Sequence, residues 1–215
     1  METALDPDFL VETEDDLRAL FPPTHAIAVE KAMDRLDRHA RAFIAHSPFL
    51  VIGTQSPDGT ADVSPRGDPR GFVHVLDDRT LLIPDRPGNN RLDTQRNIIA
   101  NPAVGLLFMV PGFDDTMRVN GTARITRDPA LLERMAVNGR SPATAIAVTV
   151  REVFIHCAKA FRRARLWDPG ERQDRSEMPS LVAIIRDQTK APPAAPAEMR
   201  RLEDDLEEAY RTTMY

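Results

Sequence analysis

The sequence predicts a mainly β chain with attached helices, an α+β architecture built on an antiparallel barrel or sandwich. Two observations predict it. Six or seven short apolar or β-branched segments follow one another between residues 49 and 156, most of them joined by turn signals. A doubly wound parallel sheet would also need a crossover of about a dozen residues between successive strands, and that alternation is missing.

The elements justify themselves in order. Thr13-Glu-Asp-Asp16 reads as a capping box opening a short helix that Pro22-Pro23 closes. Ala26 to Ala45 carries apolar residues at helical spacing and predicts one long helix, stopped by Ser47-Pro48. Phe49 to Thr54 is a strand, Ser56-Pro-Asp-Gly59 a turn, and Thr60 to Ser64 its return. Gly71 to Val75 and Thr80 to Ile83 form a second hairpin. A helix follows from about Asn90 to Ala100, ended by Asn101-Pro102. Ala103 to Val110 and Thr116 to Thr126 are strands, the second alternating Met117, Val119, Gly121, Ala123 and Ile125 on one face. Asp128-Pro129 caps a short helix, and Ala143 to His156 is the last strand. Beyond it, Phe161 to Leu166 predicts a helix or turn, Ala191 to Ala197 is a Pro/Ala spacer, and Glu198 to Tyr210 a helix with one apolar stripe. The expected organisation is a helical segment at 1–47 packing on the barrel, a barrel at 48–170, and a helical extension at 171–215.

Composition narrows the class. The chain has 215 residues, 42% hydrophobic and 28% charged, with a net charge of -5, which gives no global attraction to nucleic acid or an anionic membrane. One cysteine, Cys157, excludes an intramolecular disulfide, and the acidic opening does not read as a signal peptide. No apolar run is long enough for a membrane span. A cytoplasmic protein is expected.

The positive charge is uneven: Arg66, Arg70, Arg79, Arg86, Arg91 and Arg96 crowd one span, and Arg151, Arg162, Arg163 and Arg165 lie in another, from Arg151 to Arg165. Arginine gathered in this way suits a phosphate pocket. The stretch Ser64-Pro-Arg-Gly-Asp68 ends a strand where a core would want apolar residues. Pro87-Gly-Asn-Asn-Arg91 lies between a strand and a helix, where free helix N–H groups flanked by Arg86 and Arg91 can receive an anion. It lacks the spacing of a P-loop. The histidines at 25, 39, 46, 74 and 156 show no metal-ligand spacing, so no metal is expected. His74 reads as a strand histidine, Cys157 as a small buried hydrophobe, and Ser64 lacks the glycine-flanked elbow of a hydrolase nucleophile.

The order of these segments, with Asn101-Pro-Ala-Val104, the strand LLFMV and Met117-Arg-Val-Asn-Gly-Thr-Ala-Arg124, resembles the pyridoxamine 5'-phosphate oxidase-like flavoproteins. That resemblance implies an FMN-binding split β-barrel and a homodimer with the flavin at the subunit interface. It places Ser64, Pro65, Arg66 and Gly67 along the flavin and Arg86, Asn89, Asn90 and Arg91 at its phosphate. Thr116 occupies a position where the family often has a glutamine facing the flavin. Lys159, Arg163 and Trp167 lie in the segment that often closes the site from the other subunit.

The departures are specific. Oxidases acting on the vitamin carry Arg-x-x-x-Leu-Lys where this chain has Ser64 to Asp68, and Ser-Arg-Lys where it has Asn89-Asn-Arg91. Their Arg-x-His near the end is absent. The expected activity is therefore an FMN-dependent oxidoreductase acting on a small molecule other than pyridoxamine phosphate. The alternatives are a non-catalytic flavin-binding or degenerate split-barrel module, or an enzyme of this fold using deazaflavin or haem. Haem would want an iron-ligating histidine at the site.

Overall fold

The computed structural model describes residues 5–215, so the first four residues of the expected 1–47 segment lie outside it. The chain divides into two compact units, Met1–Ala32 and Met33–Tyr215.

The described part of the first unit holds α1 (Glu14–Ala19) and α2 (Ala26–Glu30). Thr13 caps α1 by accepting from the Asp16 N–H at 3.1 Å, as the capping pattern predicts. The single helix expected from Ala26 to Ala45 is two helices, because α2 stops at the Lys31 cap and α3 spans Arg38–His46. In the second unit, Met33 exchanges backbone hydrogen bonds with Val153 and the Leu36 N–H donates to the Asp78 carbonyl. Asp37 then restarts the helix by accepting from the Ala40 N–H at 2.7 Å. Extended pairing with a distant strand thus overrides a local helical pattern.

Seven strands form one sheet: β1 (Phe49–Gln55), β2 (Ala61–Gly67), β3 (His74–Val75), β4 (Thr80–Pro84), β5 (Ala103–Met109), β6 (Thr116–Thr126) and β7 (Ala145–His156). Their order is β2-β1-β5-β6-β7-β4-β3 and every pairing is antiparallel. The sheet does not close, since β2 and β3 end it without pairing to each other. The chain has the α+β, antiparallel arrangement that the successive short segments predict, in the open, split-barrel form that the resemblance implies. Turn chemistry sets the β1–β2 register: Gly59 takes φ 88° and the Ser56 N–H donates to the Thr60 carbonyl at 2.9 Å.

Alternate residues of the strands build the core. Leu50, Ile52, Leu106, Phe108, Met117, Val119, Ile146 and Val148 are almost wholly buried, with Ile44 and Ala40 of α3 among them. One register shift interrupts the long β6–β7 ladder, where Asn120 pairs with Glu152 but Gly121 pairs with Val150. A Cβ on Gly121 would stand 2.1 Å from the Thr149 carbonyl oxygen, so the backbones approach there as only glycine permits.

Around the sheet lie α4 (Asp93–Ala100), α5 (Pro129–Glu133), α6 (Lys159–Ala164), α7 (Leu181–Gln188) and α8 (Pro196–Thr213). Asp128 caps α5 through the Ala130 N–H, as expected. The sequence reading missed α7, which Ser180 caps through the Ala183 N–H and which packs on α8. Cys157, expected to be buried, is exposed. No helix among the described residues is long and apolar enough to cross a membrane.

Candidate functional site

The edge strand β2 carries the first wall of the site. Its burial alternates, with Asp62, Ser64 and Arg66 turned inward and Ala61, Val63, Pro65 and Gly67 outward. Proline is tolerated here because the strand is at an edge, and a polar inward row suits a wall facing a hollow better than a core.

The second wall is the segment after β4. Pro84 to Leu92 leaves the sheet and enters α4 with Asn90 and Leu92 both at positive φ, 57° and 58°. Such angles strain residues other than glycine and set a fixed loop shape. The helix begins at Asp93, three residues later than the pattern predicts, with Leu92 as an N-cap that makes no side-chain bond.

The two walls meet. Ser64, Pro65, Arg66, Gly67, Arg86, Asn89, Asn90 and Arg91, all singled out from the sequence, line one cavity of about 450 Å³. In a flat sheet β2 and β4 would stand about 24 Å apart, five strand spacings, so the sheet curls to bring them together. The split between its ends is the cavity.

The three arginines differ in what they hold. Arg91 is 73% exposed and donates to Asp93 at 2.7 Å, while its N–H is held by Asn89. Arg86 donates through Nε to Asp68 Oδ2 at 2.6 Å, a pair whose side chains are 17% and 1% exposed. Arg66 donates through Nη1 to Ser64 Oγ at 2.6 Å and to the Pro65 carbonyl at 2.8 Å. Its Nε is buried with no hydrogen-bond partner. Burial lowers the Arg66 pKa, and the charges of Asp85 and Asp62 work against that effect. Arg66, half-buried and incompletely satisfied, is thus the cation best placed to want an anion.

Three carboxylates that the sequence reading did not single out share the cavity: Asp62, Asp85 and Asp93, the last being the partner of Arg91. Asp62 accepts from Thr94 and Thr54, and Thr54 in turn accepts from Asn97, which ties α4 to the β1–β2 hairpin. Asp85 accepts from Gln95 at 2.6 Å and from Thr144. Burial raises the Asp85 pKa, and the Arg66 charge opposes the rise. The polar alternation Asp62-Ser64-Arg66 was a signal for the first; the partners of Asp85 are distant in sequence and left none.

Four predicted residues lie elsewhere in the chain. Thr116 is buried at the start of β6. Lys159 and Arg163 are exposed on α6. Trp167 donates from Nε1 to the Phe113 carbonyl at 2.8 Å and lies against Phe161. None of the four lines the cavity. His74 stands on β3, its pKa lowered first by burial and then by Arg134 and Arg86.

Residues 36–157 match the family model described as pyridoxamine 5'-phosphate oxidase. No curated protein matches the chain. Among solved structures, the chain is similar to HupZ of Group A Streptococcus, with 18% identity over 55% of this chain and 92% of that one, at a TM-score of 0.46. It is similar to General Stress Protein 26 of Bacillus anthracis, with 17% identity over 54% and 88%, at 0.42. An FMN-binding protein of Syntrophomonas wolfei shows 9% identity over 54% and 88%, also at 0.42.

Proposed function

Because the chain belongs to the pyridoxamine 5'-phosphate oxidase family, we propose that it is an FMN-dependent oxidoreductase whose flavin occupies the cavity between β2 and the loop after β4. The observation that carries this reading is Arg66, whose Nε has no hydrogen-bond partner, lining a cavity that Arg86 and Arg91 also line. A phosphate there would supply the acceptor that Arg66 lacks. The cavity's volume falls within the roughly 300–1,000 Å³ usual for small-molecule sites.

In this reading Arg66 and Arg86 hold the phosphate, and the main chain of Pro65 to Gly67 lies along the ring. Gly67 and Gly88 meet no atom closer than 3.5 Å where a Cβ would stand, so they leave the backbone open to a close neighbour. When bound, the flavin supplies the redox chemistry, and the protein supplies binding, orientation and electrostatics. The substrate is a small molecule other than pyridoxamine phosphate, given the missing Arg-x-x-x-Leu-Lys and Arg-x-His patterns. Thr116, Lys159, Arg163 and Trp167 do not line the cavity within one chain. A homodimer in which a second subunit brings Lys159, Arg163 and Trp167 to the flavin is part of this proposal.

Incubation with FMN followed by gel filtration tests the proposal. Co-elution of a visible flavin band with the protein is expected. A colourless protein after saturating FMN would remove the flavin from this cavity, and bleaching of bound flavin by a nicotinamide donor would favour catalysis over simple binding.

A further inference from the structure

We propose that Tyr215 is a positioning residue for the anion-binding side of the cavity, clamping Asp68 and Arg86 so that the loop from Asp85 to Arg91 keeps its shape toward a phosphate. The identity of the ligand rests on the flavin reading; the clamp itself stands on contacts within this chain.

Four contacts converge on one spot from four distant parts of the chain. The Tyr215 hydroxyl donates to Asp68 Oδ1 at 2.6 Å, and Arg86 Nε donates to the other oxygen, Oδ2, at 2.6 Å. The Arg86 guanidinium lies 5.5 Å from the centre of the Tyr215 ring, within cation–π range. Arg140 Nη1 donates to the Tyr215 main-chain oxygen at 2.7 Å. Asn138 and Gly139, both at positive φ, form the tight turn between Val137 and Arg140 that presents this last group.

The geometry explains why the loop needs a support. Arg86 to Asn89 line the central cavity on one side and, on the other, a hollow of about 770 Å³ shared with the end of α8. A further hollow of about 410 Å³ separates Arg86 and Asn90 from Arg140. Tyr215 borders both outer hollows, so its ring and hydroxyl bridge the space behind the loop. The tyrosine hydroxyl is protonated at neutral pH in any case, and its hydrogen bond to Asp68 is the main cause raising its pKa further. Asp68 then has both oxygens satisfied, and Arg86 is fixed from its Nε and its face at once.

The test compares FMN with riboflavin, which has the same ring and no phosphate. Affinities are measured by flavin fluorescence for wild type, Tyr215→Phe, Tyr215→Ala and, as a control on α8 just before it, Tyr210→Ala. The expected result is a loss of about tenfold in FMN affinity for Tyr215→Ala, with riboflavin affinity unchanged. Tyr215→Phe, which keeps the ring over Arg86, should fall between. An unchanged FMN affinity, or equal losses for both flavins, would overturn the proposal.

A second measurement needs no flavin. The Arg86 Nε–H signal, assigned by its loss in Arg86→Lys, should exchange with solvent several-fold faster in Tyr215→Ala than in wild type or Tyr210→Ala. Equal exchange overturns the clamp. Wild type that binds neither flavin defeats the flavin reading instead, and the exchange comparison still decides whether Tyr215 holds Arg86.

Discussion

Arg86 and Asp68 join the two sides of the open sheet: the Arg86 Nε donates to Asp68 at 2.6 Å, and the carboxylate is 1% exposed. One residue follows β2 and the other follows β4, so the pair bridges the gap that backbone pairing leaves. Removing a single partner of such a pair is costlier than never having had it, because the other charge stays partly buried. Asp68→Ala should cost about 2–4 kcal/mol of stability, somewhat less than the roughly 3–5 kcal/mol of a fully buried pair because Arg86 is not fully enclosed. Chemical denaturation would show it as a lower midpoint with the slope unchanged.

Asp85 predicts a pH dependence of the opposite kind to a salt-bridged carboxylate. Its folded-state pKa is raised, chiefly by burial. Between the ordinary carboxylate value of 3.8 and the raised folded value, the folded state binds more protons than the unfolded state. This group therefore contributes less stability as pH rises through that window. Asp85→Asn should be more stable than wild type near neutral pH, with the difference shrinking below the carboxylate range. Parallel melting curves across pH would contradict it by showing a constant difference or none.

Gly121 predicts a backbone clash. With the Thr149 carbonyl 2.1 Å from where a Cβ would stand, Gly121→Ala must push β6 and β7 apart at the register shift. A loss of about 2–3 kcal/mol is expected, read as a fall in melting temperature.

The outward row of β2 predicts where a second copy would meet this one. Val63 is 69% exposed in the middle of the edge strand, beside exposed Ala61 and Pro65. If the proposed homodimer buries this row, Val63→Asp should shift sedimentation from dimer to monomer while the melting temperature stays near wild type. A dimer indifferent to the substitution would place the interface elsewhere.

The strands were legible because their signals are local. The span Thr116 to Thr126 has the same bounds in sequence and structure, set by period-two alternation. The Asp58-Gly59 turn and the Asp128-Pro129 cap were legible through backbone chemistry. The helix over Ala26 to Ala45 failed because pairing of Met33 with Val153 and of Leu36 with Asp78 is invisible to a helical window. The two walls of the cavity were legible as stretches that break the core pattern, Ser64 to Gly67 and Arg86 to Arg91. Which arginine is left wanting a partner was not. Arg86 is taken by Asp68 and Arg91 by Asp93, and only the fold sets Arg66 Nε without an acceptor.

That atom carries the central claim, and a titration of FMN into wild type and Arg66→Ala tests it most directly. The expected result is saturable binding to wild type and a loss of about 1.5–3 kcal/mol in Arg66→Ala, the range for a hydrogen bond to a charged group, with Arg91→Ala affected less. Equal FMN affinities for wild type and Arg66→Ala would contradict it.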